Sequence, residues 1–280
     1  MNLQGVLDLA ASLAGCSRPP ADSAVYVEAR ADVRRVLFGV DTTLAEVTWA
    51  QQNGFDAVIA HHPLGGSART RFPEVVQRQV EQMTAEGVDR ETAQHAVTAR
   101  LESLHRGVHM ANVNALVDSA RLVGMPLCNV HLACDIIGRD AIIAVLRENA
   151  RDDATVADAI SWLTGRFSEY GTSHAQPQAW VGAAESRLGR WTVAMAGGTN
   201  GGFPVFRQYF AAGVDTILAM HIGETDLQQL RGVATETQTL IVTGHMPTDS
   251  IGINVLIRAL EERGVEVVRT SGVVAPAPQA

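Results

Sequence analysis

Hydrophobic residues follow two periodicities along this chain, and their order predicts an α/β protein. Residues 3–13 repeat apolar side chains at helical spacing, whereas residues 36–40 (VLFGV) and 57–60 (AVIA) are short, continuous apolar runs typical of buried strands. Residues 43–52, between the two runs, return to helical spacing. A strand, a helix and a strand in this order predict a parallel crossover, which places functional residues at the carboxyl ends of the strands.

The alternation of predicted strands and helices is interrupted by residues 67–124 and resumes after them. Residues 67–124 form polar stretches with helical spacing and no strand signal, so we predict a mostly helical insertion there. Further apolar runs and helical spacings predict strands at residues 127–131, 192–196, 216–220, 240–243 and 265–269, and helices at residues 154–164, 205–212 and 251–263.

These elements predict two related α/β lobes with mixed, largely parallel sheets, plus the helical insertion. We expect residues 1–66 and 125–145 to form the first lobe and residues 146–272 the second. Residues 273–280 alternate Ala with Pro, which supplies neither ladder donors nor core, so we expect a loose tail.

Composition narrows the function classes. The 280 residues are 46% hydrophobic and 19% charged, which suffices for a full core. No run of eighteen apolar residues and no basic start before the first apolar stretch are found, so we expect a cytoplasmic protein with no membrane contact. The formal net charge of -8 without a basic stripe gives no support for nucleic-acid binding.

The absence of lysine excludes several chemistries. All basic residues are Arg, so Schiff-base catalysis, a Ser-Lys dyad and a Walker-type phosphate loop are ruled out, since each needs an ammonium group. The three Cys form no CxxC pair, which argues against a disulfide framework and a thiolate zinc site. The side chains left for a functional site are therefore histidines and carboxylates.

Three groups of such side chains each follow an apolar run: the pair His61 and His62, the pair His131 and Asp135, and the pair His245 and Asp249. Taken singly, each group is also explained by a solvated loop or by a capping Asp beside an incidental His. Together they favour convergence at one edge of a parallel sheet. Imidazole and carboxylate ligands without thiolate suit zinc, iron, manganese or nickel, and one carboxylate can bridge two ions.

Three longer strings carry a family resemblance: GVDTTLAEVTWAQQNGFDAVIAHHPL, VHLACD and LIVTGHMPTDSIGINVLIRALEERG. They resemble the signature blocks of the NIF-three family, whose members are also described as GTP cyclohydrolase I type two-like and as dinuclear-metal hexameric proteins. The resemblance covers roughly residues 1–66 and 125–272. It implies a homohexamer whose two α/β lobes face a central metal cleft with two divalent ions.

Carried over by position, the resemblance implies a ligand set of five side chains: His61, His62, Asp135, His245 and Asp249, with His131 beside them. The family usually has Glu where this chain has Asp249, and the shorter side chain reduces the reach of a bridging carboxylate by roughly 1.5 Å, one C–C bond. The insertion at residues 67–124 is a second departure, and we expect it either to cap the site or to change the oligomer contact.

Other residues near the predicted strand ends have expected roles. Glu224 follows the strand at residues 216–220 and is either the general base on a metal-activated water, with His221 near it, or a solvated side chain at a strand end. Asp41 is expected to accept a hydrogen bond from a ligating imidazole or to stabilise a turn. The glycine-rich residues 197–202 either receive an anion at a helix start or form a tight turn.

Two functions remain open. The first is a metal-dependent hydrolase that acts on a small molecule, for which the resemblance implies a purine nucleotide such as GTP as the first substrate to test. The second is a non-catalytic regulatory or ligand-sensing oligomer that binds metal. A third hypothesis is a degenerate site in which Asp249 has reduced the centre to one ion.

Overall fold

The computed structural model describes residues 1–277, and these fold into an α/β arrangement with two sheets. The strands are β1 (Ala24–Val27), β2 (Arg35–Gly39), β3 (Ala57–Ala60), β4 (Leu127–Asn129), β5 (Gln178–Val181), β6 (Trp191–Val193), β7 (Thr216–Ala219), β8 (Thr239–Val242) and β9 (Glu266–Thr270). The helices are α1 (Leu3–Leu13), α2 (Leu44–Gln52), α3 (Gly66–Thr70), α4 (Phe72–Val76), α5 (Arg78–Ala85), α6 (Arg90–Met110), α7 (Ala115–Val123), α8 (Leu132–Asn149), α9 (Val156–Arg166), α10 (Ser168–Thr172), α11 (Gly202–Ala211), α12 (Glu224–Arg231) and α13 (His245–Glu261).

The first sheet has the order β1-β4-β3-β2-β9, with β1 antiparallel and the other neighbours parallel. Strands β2 and β3 are almost fully buried, as expected for parallel strands covered by helices on both faces. On one face, Leu37, Val58 and Leu127 pack against Val47 of α2 and Val117 of α7. The predicted crossover from β2 through α2 to β3 therefore forms.

The second sheet repeats this construction with four strands in the order β5-β8-β7-β6, and its edge strand β5 is antiparallel to β8. Buried Phe206 and Tyr209 of α11 and Leu230 of α12 contribute to the core of this part of the chain. The predicted α/β class with mixed, largely parallel sheets is confirmed. Sequence reasoning missed β1 (AVYV), although it is a continuous apolar run, and β5 (QAWV), which begins with a polar residue; both are four-residue edge strands.

The chain divides into two compact units. The first unit comprises Met1–Val75, Ser103–Gly138 and Asp249–Ala275; the second comprises Val76–Glu102, Arg139–Thr248 and, among the described residues, 276–277. This division differs from the predicted lobes, because β9 pairs with β2 and therefore belongs to the first sheet. The sequence could not reveal this, since a strand near the chain end can join either sheet.

The predicted helical insertion contains only helices, α3 to α7, among the described residues between β3 and β4. Its residues are shared between the two units. The predicted loose tail is bound where it is described: the Val274 N–H donates to Ser250 Oγ (2.8 Å), and Asn254 Nδ2 donates to the Val274 carbonyl (2.9 Å). Residues 278–280 lie outside the described part. Among the described helices, none combines the length and apolar content needed to cross a membrane.

Candidate metal centre

Two adjacent strand ends of the first sheet bring three imidazoles together. His61 and His62 follow β3, and their N–H groups continue the ladder by donating to the Gly39 and Val40 carbonyls (2.8 and 3.2 Å). His131 follows β4 and its N–H donates to Ser23 Oγ (3.1 Å). One ring nitrogen from each of the three lies within 4.8 Å of the others. The backbone pairing of β3 and β4 therefore positions the cluster.

Each of the three imidazoles is held by an acceptor at Nδ1. His61 Nδ1 contacts the Val130 carbonyl (3.0 Å), His62 Nδ1 contacts Asp41 Oδ1 (2.7 Å) and His131 Nδ1 contacts Asp22 Oδ2 (2.6 Å). A carbonyl or carboxylate oxygen accepts, so we assign the proton to Nδ1 and the lone pair to Nε2. In proteins, a metal-ligating imidazole is usually oriented in this way, by a hydrogen bond from the ring nitrogen that does not bind the metal.

Two carboxylates lie among the Nε2 atoms. Asp135 Oδ1 is 3.2 Å from His61 Nε2, and Asp135 Oδ2 is 3.6 Å from His131 Nε2. Asp249 Oδ2 is 3.6 Å from His61 Nε2 and 3.7 Å from His62 Nε2. Each carboxylate thus lies between two imidazoles, and the shorter side chain of Asp249 reaches both members of the adjacent pair.

The helix contacts explain how residues so distant in sequence meet. Helix α8 begins directly after His131, so Asp135 lies in its first turn, and Asp249 lies in the second turn of α13. The two helices touch at Gly252, where a Cβ atom would lie 2.0 Å from the Cys134 carbonyl oxygen. Only glycine permits this approach, which carries Asp249 to the site.

Because the cluster is buried, its polar and charged atoms are energetically unfavourable in the absence of a cation. His61 is fully buried, and Asp135 and Asp249 are 6% and 3% exposed. His61 Nε2 and Asp135 Oδ1 have no hydrogen-bond partner among the described residues, although they lie 3.2 Å apart. Buried polar atoms normally have partners, so orphaned donor atoms that face one another suit a metal ion. Imidazole and carboxylate donors could hold zinc, iron, manganese or nickel.

The charges couple the ionisation of these groups. Burial lowers the pKa of His131, but the carboxylates of Asp135 and Asp22 outweigh it and raise that pKa to about 9. Burial raises the pKa of Asp135, but His131 and His61 outweigh it, and the pKa falls below its usual range. Burial and neighbouring His61 lower the pKa of His62. In the protein without metal, a proton on His131 supplies positive charge beside the carboxylates.

The remaining predicted site residues lie on elements of the second unit. His245 is the first residue of α13, one turn before Asp249. Its ring centroid is 4.5 Å from that of His221, whose Nδ1 is 2.9 Å from Asn200 Nδ2. Glu224 begins α12, is exposed, and accepts a hydrogen bond from Gln228 Nε2 (2.6 Å).

The expectation that all three His/Asp groups follow strands of one sheet is wrong. Strand β8, which precedes His245, belongs to the second sheet. Asp249 joins the cluster in the first unit because α13 continues from one unit into the other. The sequence placed this helix at residues 251–263, but it begins at His245 because Pro247 is tolerated in a first helical turn.

One site residue was missed by sequence reasoning. Asp22 is fully buried in the loop before β1 and holds His131 through its carboxylate. It lies next to the missed strand β1, whose pairing with β4 places this loop beside His131. Residues 18–22 look like an ordinary polar loop, and the only available signal was the unrecognised edge strand.

The glycine-rich residues 197–202 are fixed by protein groups. Gln79 of α5 is buried and donates to the carbonyls of Gly197 and Thr199 (3.0 and 2.9 Å). At the start of α11, a Cβ atom on Gly202 would lie 2.5 Å from Asp226 Oδ2. A carboxylate beside the helix start disfavours an anion there, so these contacts support the tight-turn interpretation.

Comparison with known proteins yields one family model and several similar structures. Residues 22–90 match the model Duf34/NIF3 (NGG1p interacting factor 3). The crystal structure of a NIF3 superfamily protein from Sphaerobacter thermophilus is similar over 97% of this chain and 98% of that chain, with 41% identity and a TM-score of 0.93.

More distant structures share the fold. Hypothetical protein SA1388 from Staphylococcus aureus is 13% identical, with 100% of this chain and 99% of that chain covered and a TM-score of 0.54. Reduced HcgD from Methanocaldococcus jannaschii is 10% identical, with 96% and 97% covered and a TM-score of 0.53. A search of curated proteins finds no significant match.

Proposed function

Because this chain belongs to the NIF3 superfamily, we propose that it is a metal-dependent hydrolase with a dinuclear centre at His61, His62, His131, Asp135 and Asp249. One observation carries the proposal: three buried or half-buried imidazoles, each held at Nδ1, direct Nε2 toward two buried carboxylates. Such preorganised donors match the needs of a divalent transition-metal ion.

The number of donors supports two ions rather than one. A tetrahedral site uses about four ligands. The cluster offers five, and His245, one turn before Asp249 on α13, belongs to the ligand set that the resemblance implies and would add a further donor. Asp249 lies between His61 and His62, as a carboxylate that bridges two ions would, and Asp135 lies between His61 and His131. We therefore propose two ions of zinc, iron, manganese or nickel.

Bound ions of this kind act as Lewis acids and make water a nucleophile at neutral pH. The protein's residues prepare the site for that chemistry. Asp22 and Asp41 fix the orientation of His131 and His62, and the Val130 carbonyl fixes that of His61. Burial of Asp135 and Asp249 limits competition from bulk water. Glu224 stays the predicted general base, with His221 as its predicted neighbour.

The substrate proposal is a small molecule with an electrophilic carbon or phosphorus. A purine nucleotide such as GTP is the first candidate to assay, and phosphoesters and peptides follow. We also propose a homo-oligomer, with a hexamer as the expected state, which light scattering of the purified protein tests directly.

Turnover separates a hydrolase from a metal-binding regulator. Zinc- or manganese-loaded protein is assayed against nucleotides, phosphoesters and peptides, with His61→Ala as the inactive variant and His174→Ala, at an exposed position, as its matched control. We expect turnover in the wild type and in His174→Ala, and none in His61→Ala. If metal raises the melting temperature but no substrate turns over, the regulatory function replaces the hydrolase.

A further inference from the structure

The orientation of His62 depends on an exposed carboxylate. Asp41 Oδ1 accepts from His62 Nδ1 at 2.7 Å, yet 68% of the Asp41 side chain is exposed. Packing therefore does not fix this carboxylate. Its position must be set by the backbone from which it extends, at the turn between β2 and α2.

Ser271, directly after β9, holds the first half of that turn. Its carbonyl oxygen accepts hydrogen bonds from the N–H groups of Val40 (2.9 Å) and Asp41 (3.2 Å). Ser271 adopts φ +43°, a left-handed conformation that residues other than glycine seldom adopt. A strained residue persists where its surroundings fix it, so this conformation indicates a tightly determined position.

Glu46 fixes Ser271 and the second half of the turn at once. The Ser271 hydroxyl donates to Glu46 Oε1 (2.6 Å), and the Thr43 N–H donates to Glu46 Oε2 (2.8 Å). Burial of Glu46 opposes its ionisation, but the hydrogen bonds from Ser271 and Thr43 outweigh this and lower its pKa to about 2. The turn from Asp41 to Thr43 is thus held at both ends by the pair Glu46 and Ser271.

We propose that Glu46 and Ser271 are positioning residues for the metal centre: their hydrogen bond clamps the turn that carries Asp41, and Asp41 in turn orients His62. This inference rests on the proposed metal site. In this inference both residues act through Asp41. The clamp also links β9 to a site formed at the ends of β3 and β4.

A purely structural role for Glu46 is the alternative, since it belongs to the capping box of α2 with Thr43. The chain supplies a matched control. Helix α9 begins with the same motif, formed by Thr155 and Asp158, in the second unit. Both carboxylates accept a hydrogen bond from the backbone N–H of the N-cap Thr. Asp158 also pairs with Arg151 (3.0 Å), and Glu46 with Ser271.

Zinc affinity, measured by competition with a chromophoric chelator, tests the proposal in the full-length protein. We expect Glu46→Ala and Ser271→Ala to weaken zinc binding roughly threefold to tenfold, less than the 10–100-fold expected for Asp41→Ala, which removes the contact with the ligand itself. Asp158→Ala should lower the melting temperature about as much as Glu46→Ala but leave zinc affinity unchanged. Glu46→Gln, which keeps a neutral acceptor, should restore part of the affinity.

A double variant and a spectrum exclude a general loss of structure. Glu46→Ala combined with Asp41→Ala should bind zinc no more weakly than Asp41→Ala alone, because the clamp acts through Asp41. The visible spectrum of the cobalt(II)-loaded protein should change in the same way in Glu46→Ala and in Asp41→Ala. Additive losses, or wild-type affinity in Glu46→Ala, overturn the clamp. Failure of the wild type to bind zinc or cobalt overturns the metal site itself and the clamp with it.

Discussion

The carboxyl ends of the two sheets have the same construction but treat their histidines differently. In each sheet an antiparallel edge strand pairs with a strand that is followed by His-x-x-x-Asp: β4 leads to His131 and Asp135, and β8 leads to His245 and Asp249. The next strand is also followed by His in both sheets, with His61 after β3 and His221 one residue beyond Met220 after β7.

The partner at Nδ1 distinguishes His221 of the second sheet from the three imidazoles of the first. His61, His62 and His131 each face an oxygen acceptor, which leaves the Nε2 lone pair available to a metal. His221 instead faces the amide nitrogen of Asn200, which can only donate, so its proton belongs on Nε2. The fold places an imidazole at each of these strand ends, and the hydrogen-bond partner at Nδ1 determines whether Nε2 is available to bind a metal ion.

The largest expected effect comes from removing the imidazole that the carboxylates share. His61→Ala should reduce bound zinc from about two equivalents per chain to a small fraction, because Asp135 and Asp249 then lose their common neighbour. His221→Ala, at the second sheet, should keep both equivalents. Elemental analysis of dialysed protein measures this, and equal metal loss in the two variants would contradict the distinction between the sheets.

The second largest effect is expected from disturbing the close contact between α13 and α8 at Gly252. Gly252→Ala places a methyl group against the Cys134 carbonyl, and the overlap should destabilise the protein by about 1–3 kcal/mol or more and displace Asp249. Gly107→Ala in α6, where a Cβ atom meets nothing within 4 Å, should be neutral or stabilising by about 0.5–1 kcal/mol. Urea unfolding gives both values. A neutral Gly252→Ala would show that the two helices separate freely.

The acceptors sharpen the comparison. Asp22→Asn should weaken zinc binding about 10–100-fold, because the amide no longer holds the His131 proton at Nδ1 as a carboxylate does. Asn200→Ala should leave zinc affinity within about threefold, since Asn200 does not set an Nε2 lone pair. Isothermal titration compares them. Equal losses would mean that acceptor identity does not select the ligands.

The smallest expected effect is a pH dependence of stability without metal. The pKa of His131 is raised from 6.5 to about 9 in the folded protein by Asp135 and Asp22, against the effect of burial. Stabilisation by protonated His131 is therefore fully present below pH 6.5 and is lost as the pH rises through about 9.

If His131 ligates zinc, the ion would take the place of that proton, so we expect the loss to disappear in zinc-loaded protein. Melting temperatures at pH 6.5 and 9, with and without zinc, test the sign. A metal-free protein that becomes more stable over this range, after allowance for an Asp22→Asn control, would contradict the charge arrangement.

Much of the fold followed from local pattern, because continuous apolar runs such as residues 57–60 have few other uses. The edge strand β5 (QAWV) carries no distinctive period, whereas β1 (AVYV) is a continuous apolar run that sequence reasoning overlooked. The membership of β9 in the first sheet depends on tertiary pairing, which no local pattern encodes.

The residues of the candidate site likewise include some that could be predicted from local sequence and some that could not. His61, His62 and Asp135 stand next to strands that the sequence predicted, so their proximity could be anticipated. Asp249 reaches them through the length of α13 and the contact at Gly252, and Asp22 through the unrecognised β1. These positions depend on packing between segments more than 100 residues apart, as in the hydrogen bond between Asp22 and His131.

The central claim is that these distant side chains form one centre for two cations. Diffraction at the zinc absorption edge from crystals of zinc-loaded protein tests it most directly. We predict two anomalous peaks about 3.5–4 Å apart, one on each side of Asp249, with His61, His62, His131 and Asp135 within bonding distance of one or the other. Zinc peaks at full occupancy elsewhere, with none among these residues, would contradict the claim.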